Sequence, residues 1–202
     1  MNIKPIVRCT MLVGLILLSA CSTSHSTRST SASIISLKEN LPTLQDRARD
    51  WNSDAYLTDV DIPIQTKTAR LWLISASFQS PSEEYESLLV TLELDGRVTV
   101  SRVEHKNPVN HEQRIDDGDL RIDSVEALDM MLDSNELRFL QTHDPQCSSL
   151  DLKRDLARQD YHPVVWIVSL WDCSVLSDEN YTFLDALTGE VIPPPWEAPN
   201  NH

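Results

Sequence analysis

Alternating apolar and polar residues predict β-strands in both halves of the chain. In the first half the alternation runs through "RLWLISASF" (70–78) and "LLVTLELDGRVTV" (88–100). In the second half it runs through "VVWIVSLWD" (164–172) and "YTFLDALTGEVI" (181–192). A period of two places successive side chains on opposite faces of a sheet. We therefore predict antiparallel sheet with one buried face.

Two glycines lie between predicted strands, one in each half of the chain. Gly96 and Gly189 each follow an apolar strand that contains an acidic residue, and Val98 and Val191 stand two positions after them. A tight reversal between strands commonly requires a positive φ, which glycine adopts without steric cost. We predict that each glycine forms a turn that opens one more short strand.

Each half also contains a predicted helix ahead of its strands. Pro42 suits the first turn of a helix that is predicted to end near Trp51. In the second half, Asp123 and Glu126 have the spacing of a capping box for the helix "SVEALDMML". That helix has one apolar face, formed by Val125, Leu128, Met131 and Leu132.

The order of the predicted elements repeats. We predict an α+β fold of two tandem units, residues 41–114 and 115–192, each with one helix packed on an antiparallel sheet. Units of this size are marginal alone, so the two are expected to pack together. The second unit carries an inserted segment, "CSSLDLKRDL" (147–156), whose evenly spaced leucines favour a strand.

The tryptophans support the alignment of the two halves. Trp72 precedes Gly96 at nearly the spacing at which Trp166 precedes Gly189, so the two tryptophans are predicted to be equivalent. Apolar positions within predicted elements favour core packing over a stacking platform. This prediction applies to Trp51, Trp72, Trp166 and Trp171.

The N-terminal region has the pattern of a secretion signal. Lys4 and Arg8 precede the apolar run "MLVGLILLSA" (11–20), which at about ten residues is too short to span a bilayer. The run leads into "LSAC", which resembles the lipobox of bacterial lipoproteins. This resemblance implies that residues 1–20 are removed and that Cys21 carries diacylglycerol.

An acylated N-terminus would anchor the protein to a lipid bilayer of the cell envelope. In Gram-negative lipoproteins, a residue such as Ser22 after the cysteine implies transfer to the outer membrane, with the protein facing the periplasm. Residues 21–40 include the Ser/Thr-rich stretch "STSHSTRSTSAS" and are predicted to form a flexible linker between lipid and folded part.

The remaining cysteines predict a disulfide. Cys9 lies in the signal segment and Cys21 is assigned to the lipid, which leaves Cys147 and Cys173 as a pair outside the reducing cytoplasm. Neither belongs to a CxxC motif, so a redox-active pair is disfavoured.

The net charge of the chain limits the classes of partner that it is expected to bind. It has 31 acidic and 17 basic residues and a formal net charge of -14. Nucleic acid is therefore excluded as the expected partner, because binding phosphates requires a basic face.

The helix "SVEAL", the strand "VVWIVSL" and the terminal "DALTGEVI" together resemble a PepSY-type domain. The best-known mark of that family is a strand that ends in D-x-x-T-G-x-V, present here as Asp185, Thr188, Gly189 and Val191. The resemblance covers most of residues 41–192 as tandem copies, although the first copy has "LDGRV" without the threonine. The resemblance implies an envelope protein that binds peptides or restrains a peptidase.

No catalytic residue, metal site or cofactor is predicted. The chain contains no GxSxG, Walker or dinucleotide-binding glycine pattern. Two histidines and a glutamate in "HKNPVNHE" (105–112) lack zinc-site spacing, and "DDGDLRID" (116–123) lacks the glycine position of an EF-hand. Both are interpreted as loops.

Two interpretations of the proline-rich tail "PPPWEAPNNH" (193–202) stay open: a disordered end, or a peptide docked on the domain. The function hypotheses are a non-enzymatic module that binds an envelope protein or peptide and, alternatively, a structural or assembly factor of the envelope. A small hydrolase would require His, Asp and Ser to converge in one cleft.

Overall fold

A computed structural model describes residues 35–65, 70–132, 148–158, 161–170 and 180–197. The two helices are α1 (Leu37–Trp51) and α2 (Ser124–Met131). The strands are β1 (Tyr56–Gln65), β2 (Arg70–Leu71), β3 (Leu73–Ser80), β4 (Glu83–Glu93), β5 (Val98–Glu104), β6 (Ser149–Arg154), β7 (Val164–Leu170), β8 (Asn180–Asp185) and β9 (Val191–Ile192).

The strands form one antiparallel sheet in the order β5-β4-β3-β1-β6-β7-β8-β9, with β2 paired to the end of β1. The α+β class and the antiparallel sheet are therefore confirmed. At the centre, β1 and β6 pair with Val60 opposite Leu152, Asp61 opposite Asp151 and Ile62 opposite Leu150. The segment predicted to be an insertion thus supplies a central strand.

Both helices cover the same face of this sheet. Leu37, Leu44 and Ala48 of α1 and Leu128 and Met131 of α2 belong to a single buried cluster. The strands contribute alternate residues to that cluster, as period-two alternation requires. The sheet residues at its centre are Val60, Ile62, Ile74, Ala76, Phe78, Leu88, Val90, Leu150, Leu152, Trp166 and Leu184.

The first helix begins earlier than its sequence predicts. The Ser36 side chain accepts a hydrogen bond from the Glu39 N–H, and α1 starts at Leu37, so the predicted start at Pro42 is wrong and Pro42 lies inside the helix. The end of the predicted linker (21–40) is consequently helical. Ile35, 5% exposed, and Leu37, 0% exposed, are buried, which explains why the prediction of a flexible linker fails at its C-terminal end.

The start of α2 caps α1. The Leu37 N–H donates to Ser124 Oγ at 2.9 Å, and the Lys38 N–H donates to Asp123 Oδ1 at 2.9 Å. Asp123 occupies the N-cap position of α2 but makes no side-chain capping bond there, so the predicted capping box with Glu126 is wrong. Its carboxylate serves the neighbouring helix, because the first N–H groups of any helix lack partners within it.

The helix predicted in the second half is confirmed. Leu128 and Met131 are buried, and Val125 and Leu132 pack against the same cluster. The predicted apolar face of α2 therefore faces the sheet.

The tryptophans do not occupy equivalent positions. Trp166 is 0% exposed, and its indole Nε1 donates to the Ile122 carbonyl at 3.0 Å. Trp72 lies between β2 and β3 and is 43% exposed, so its predicted core position and its equivalence to Trp166 are wrong. The strand is interrupted at Trp72, and the pairing places Ile74 opposite Leu92 as it places Trp166 opposite Leu184.

Among the other tryptophans, Trp51 is partly buried against the core, as predicted, and Trp171 lies outside the described residues. Cys21, Cys147 and Cys173 also lie outside the described residues, so the lipid attachment and the disulfide stay predictions.

Both glycine turns are confirmed. Gly96 has φ 85° and Gly189 has φ 75°, and each lies between two paired strands. In the second turn Asp185 Oδ1 accepts hydrogen bonds from the N–H groups of Leu187 (2.9 Å) and Thr188 (2.8 Å). The Thr188 hydroxyl accepts a bond from the Glu190 N–H at 3.3 Å.

The residues of the D-x-x-T-G-x-V pattern therefore build a turn. Gly189 N–H donates to the Asp185 carbonyl at 2.9 Å, and Val191 pairs with Leu184 as the first residue of β9. The Asp185 and Thr188 side chains accept hydrogen bonds within this turn, and Gly189 provides its positive φ.

Candidate binding face

The sheet surface opposite the two helices is the candidate functional site, and we call it the open face. It is built from the alternate strand residues that point away from the core. The central strands contribute Asp59, Asp61, Asp151 and Lys153. The strands on either side contribute Ser75, Ser77, Ser87, Thr91, Val165, Ile167, Tyr181 and Phe183.

A polar cavity of about 250 Å³ lies on the open face beside β1, β3 and β4. Its lining includes Asp59, Ser77, Ser87, His105 and Lys153. Hydroxyl, carboxylate, imidazole and ammonium groups are thus available to a polar ligand or to polar side chains of a partner.

Ser87 and His105 are hydrogen-bonded in this cavity, with 2.8 Å between Ser87 Oγ and His105 Nε2. Asp59 lines the same cavity, so a serine, a histidine and an aspartate do converge in one cleft. Among the described residues, however, no carboxylate bonds the second ring nitrogen of His105. Ser87 is only 7% exposed, and the bond ties the end of β5 to β4.

Three carboxylates meet at the centre of the open face. Asp61 stands opposite Asp151 across β1 and β6, and Asp59 stands opposite Lys153. Burial raises the pKa of Asp59 to about 6, although Lys153 opposes this rise. Burial also raises the pKa of Asp151 to about 6, against a hydrogen bond from Ser149. The pKa of Asp61 is raised by burial as well.

The sequence analysis did not predict this cluster of three carboxylates. Asp59 and Asp61 lie two positions apart in β1, and Asp151 lies in the strand that pairs with it. The alternation of acidic residues within "TDVDI" and "LDLK" was the available signal, but it becomes informative only when the pairing of β1 with β6 is known.

The other side of the open face is apolar. Val165, Ile167 and Phe183 form a small buried cluster, separate from the main core, and Ile192 packs against it. We call these four residues the apolar patch. Phe183 and Ile167 face each other across β7 and β8, and Ile192 pairs with Phe183 from β9.

The tail segment Pro193–Glu197 lies beside the apolar patch. The Trp196 ring makes edge-to-face contacts with Tyr181 (6.0 Å between centroids) and Phe183 (5.8 Å). These contacts correspond to the docked interpretation of the tail for Pro193–Glu197. Residues 198–202 lie outside the described residues.

The outer edge of β5 adjoins the open face and ends the sheet. The Glu93 N–H donates to the Arg97 carbonyl, and the His105 N–H donates to the Tyr85 carbonyl. Backbone groups of alternate residues point to opposite sides of a strand. The N–H and C=O groups of Val98, Val100, Arg102 and Glu104 therefore point away from β4.

The loops considered for metal binding have other contacts. His105 bonds Ser87, whereas His111 Nδ1 is hydrogen-bonded to the Tyr56 hydroxyl. Asp119 Oδ2 accepts from the Asp116 N–H at 3.0 Å and pairs with Arg154 at 2.6 Å. Within the ranges that the structure describes, no three His, Cys, Asp or Glu side chains are grouped to hold a metal ion.

Comparison with known proteins gives no relative: the chain matches no protein-family profile, no curated protein and no solved structure. In the described part of the chain, neither helix has the length and apolar character needed to cross a membrane.

Proposed function

We propose that this chain is a lipid-anchored envelope protein that binds an extended segment of another protein or peptide, without catalysing a reaction. The observation that carries the proposal is the edge strand β5, whose outward backbone groups at Val98, Val100, Arg102 and Glu104 are arranged to pair with one more strand. A partner strand would extend the sheet, and its alternate side chains would reach the open face.

The accessibility of β5 supports this mode of binding. Six of its seven residues are exposed, and only Val98 is partly buried against the core. Native proteins commonly protect long edge strands because such edges pair with other chains. Charged side chains at Arg102 and Glu104 limit unselective pairing, while the backbone stays available to a matching partner.

We further propose that the two halves of the sheet are tandem PepSY-like repeats. From the centre outward, β1, β3, β4 and β5 correspond in order to β6, β7, β8 and β9, and a glycine turn precedes the last strand of each series. The peptidase-restraint role that the PepSY resemblance implies is one form of this function, in which the extended segment that pairs with β5 belongs to a peptidase.

In-cell crosslinking of tagged protein tests the proposal. A recurrent partner is expected for the native chain and for Val100→Ala, but not for Val100→Pro, because proline removes the outward N–H that a partner strand needs. Cys21→Ala should also lose this partner if anchoring places the two proteins together. Recovery of the same partner at the same yield with folded Val100→Pro would refute binding at β5.

The identity of the crosslinked protein separates two forms of the function. A peptidase or secreted peptide supports the restraint role, whereas an envelope-assembly component supports the alternative of a structural or assembly factor.

A hydrolase is a second candidate because Ser87 and His105 form a bonded pair in a cavity that Asp59 also lines. Activation of serine by an adjacent histidine is the first requirement of such catalysis. A serine-directed phosphonate that labels the native chain, but not Ser87→Ala, would favour this candidate over a structural role of the pair.

A further inference from the structure

The apolar patch is occupied in part by the protein's own tail. Trp196 contacts Tyr181 at an interplanar angle of 77° and Phe183 at 80°. The Glu197 N–H donates to the Pro194 carbonyl at 2.9 Å, and this turn directs Trp196 back to the sheet. The tail thus presents a proline-flanked aromatic side chain to the patch.

The hold of the tail on this surface is weak. Trp196 is 66% exposed, so most of its ring stays in water. Its ring contacts with Tyr181 and Phe183 are edge-to-face and leave the indole faces largely uncovered. Arg158 adds a hydrogen bond to the Pro193 carbonyl at 2.6 Å and is itself paired with Asp155 at 2.7 Å. A segment that fills the site more fully would displace this one.

Space for such a segment lies next to Trp196. Trp196 lines a cavity of about 280 Å³ from the tail, and displacement of Trp196 would leave its sheet side open to a partner. That side is formed by apolar or aromatic Ile167, Tyr181 and Phe183 and by polar Asp151, Lys153 and Ser169. An apolar cavity of about 150 Å³ holds benzene, so this one has room for an aromatic side chain. The polar side offers hydrogen-bond partners to an indole N–H or a phenol hydroxyl.

We propose that the apolar patch and this cavity form a binding site for a proline-flanked aromatic segment of a partner protein, and that Pro193–Glu197 acts as an internal competitor for the site. The chemistry of the occupant is taken from the segment seated there. Proline residues preorganise an extended chain, and aromatic surfaces receive such chains well. The inference rests on the proposed function only in that the partner is a protein.

The synthetic peptide PPPWEAP, which reproduces residues 193–199, tests the site. Its binding is followed by methyl NMR of Ile167 and Ile192 in the purified chain and in a variant that ends at Ile192. The shortened chain should bind saturably, and the full chain several-fold more weakly, because the tethered tail competes at an effective concentration near the millimolar range. The peptide PPPAEAP should not bind.

Trp196→Ala in the full chain gives an independent measurement if the shortened chain does not fold. It should bind PPPWEAP more tightly than the native chain does. Absence of saturable binding to a folded tail-less or Trp196→Ala protein would overturn the site. Equal affinity for the native and Trp196→Ala chains would overturn the competitor role.

The test of the aromatic site and the test of strand addition at β5 can fail independently. A partner that crosslinks through β5, with no peptide bound at Ile167, refutes the aromatic site alone. Peptide binding without any β5-dependent partner refutes strand addition alone.

Discussion

The two sides of the open face differ in chemistry although they are built from the same order of strands. On one side β3 and β4 present Ser75, Ser77 and Thr91 beside the partly buried Leu73 and Leu89. On the other side β7 and β8 present the buried Ile167 and Phe183. The helix-covered face shows no such contrast, since Ile74 pairs with Leu92 where Trp166 pairs with Leu184. The packed face requires apolar residues on both sides of the sheet, so the contrast is confined to the open face.

This contrast places two candidate contacts at opposite ends of one sheet. The polar side ends at the β5 edge, and the apolar side carries the tail. Matched substitutions on the two sides of the sheet therefore test which of these differences affect the stability of the fold and which affect only the binding of a partner.

The largest expected effects come from two buried residues of the packed face, Trp166 in β7 and Ile74 in β3. Trp166→Ala should lower the free energy of unfolding by about 3–5 kcal/mol and Ile74→Ala by about 2–5 kcal/mol, since each leaves a cavity in the packed face. Urea denaturation measures both. Trp72→Ala is the control, and its expected cost is about 1 kcal/mol or less because that side chain is 43% exposed. Equal costs for Trp72→Ala and Trp166→Ala would contradict the assigned register.

The next largest effects are expected at the two glycine turns, where alanine should cost different amounts of stability. Gly96→Ala should cost about 1–2 kcal/mol from its φ of 85° alone, because no atom lies within 4 Å of the added Cβ. Gly189→Ala should cost about 1 kcal/mol more, because its Cβ would lie 3.1 Å from Met130 Cε and 3.3 Å from Ile122 Cδ1. Thermal unfolding compares them, and Met130→Ala should relieve part of the extra cost. No relief would locate the strain in the backbone or at Ile122.

The carboxylates at the centre should make stability fall with rising pH. Burial raises the pKa of Asp151 from its ordinary value of 3.8 to about 6 in the folded protein. The stability that protonated Asp151 provides is therefore complete below pH 3.8 and is lost as the pH rises to about 6. Asp151→Asn should therefore stabilise the protein by about 1–2 kcal/mol at pH 7 and by little at pH 4. Urea denaturation across this range, with exposed Asp129→Asn as control, checks the difference. A pH-independent effect of Asp151→Asn would contradict the assignment.

The smallest effect is expected in the tail. Trp196→Ala should change the free energy of unfolding by about 1 kcal/mol or less, since the ring is 66% exposed. Phe183→Ala, in the surface beneath it, should cost about 3–5 kcal/mol because Phe183 is 5% exposed. Calorimetry would compare the two. A loss of several kcal/mol for Trp196→Ala would make the tail part of the fold and not a displaceable competitor.

Local patterns in the sequence were sufficient for several elements. Period-two alternation located β3, β4, β7 and β8, and positive φ at Gly96 and Gly189 followed from their position between strands. The apolar face of α2 followed from its helical spacing. These features depend on residues that are close in the chain, so their physical causes can be read from it.

Other features depend on contacts between distant segments. Asp123 looked like the cap of its own helix, but its carboxylate bonds the Lys38 N–H. The alignment of Trp72 with Trp166 failed because the interruption after Leu71 shifts which residue faces the core. The Asp61 and Asp151 pair likewise exists only through strand pairing. The open face, which holds the candidate site, was therefore the part that sequence patterns described least.

The junction between the two helix starts has a mechanical consequence. The Ile35 N–H donates to the Leu71 carbonyl at 3.2 Å, and the next bonds along the chain join Leu37 to Ser124 and Lys38 to Asp123. These three bonds join the start of α1 to β2 and to the start of α2. Tension on the chain before Ile35 would therefore act on contacts of both helices before it reached the centre of the sheet.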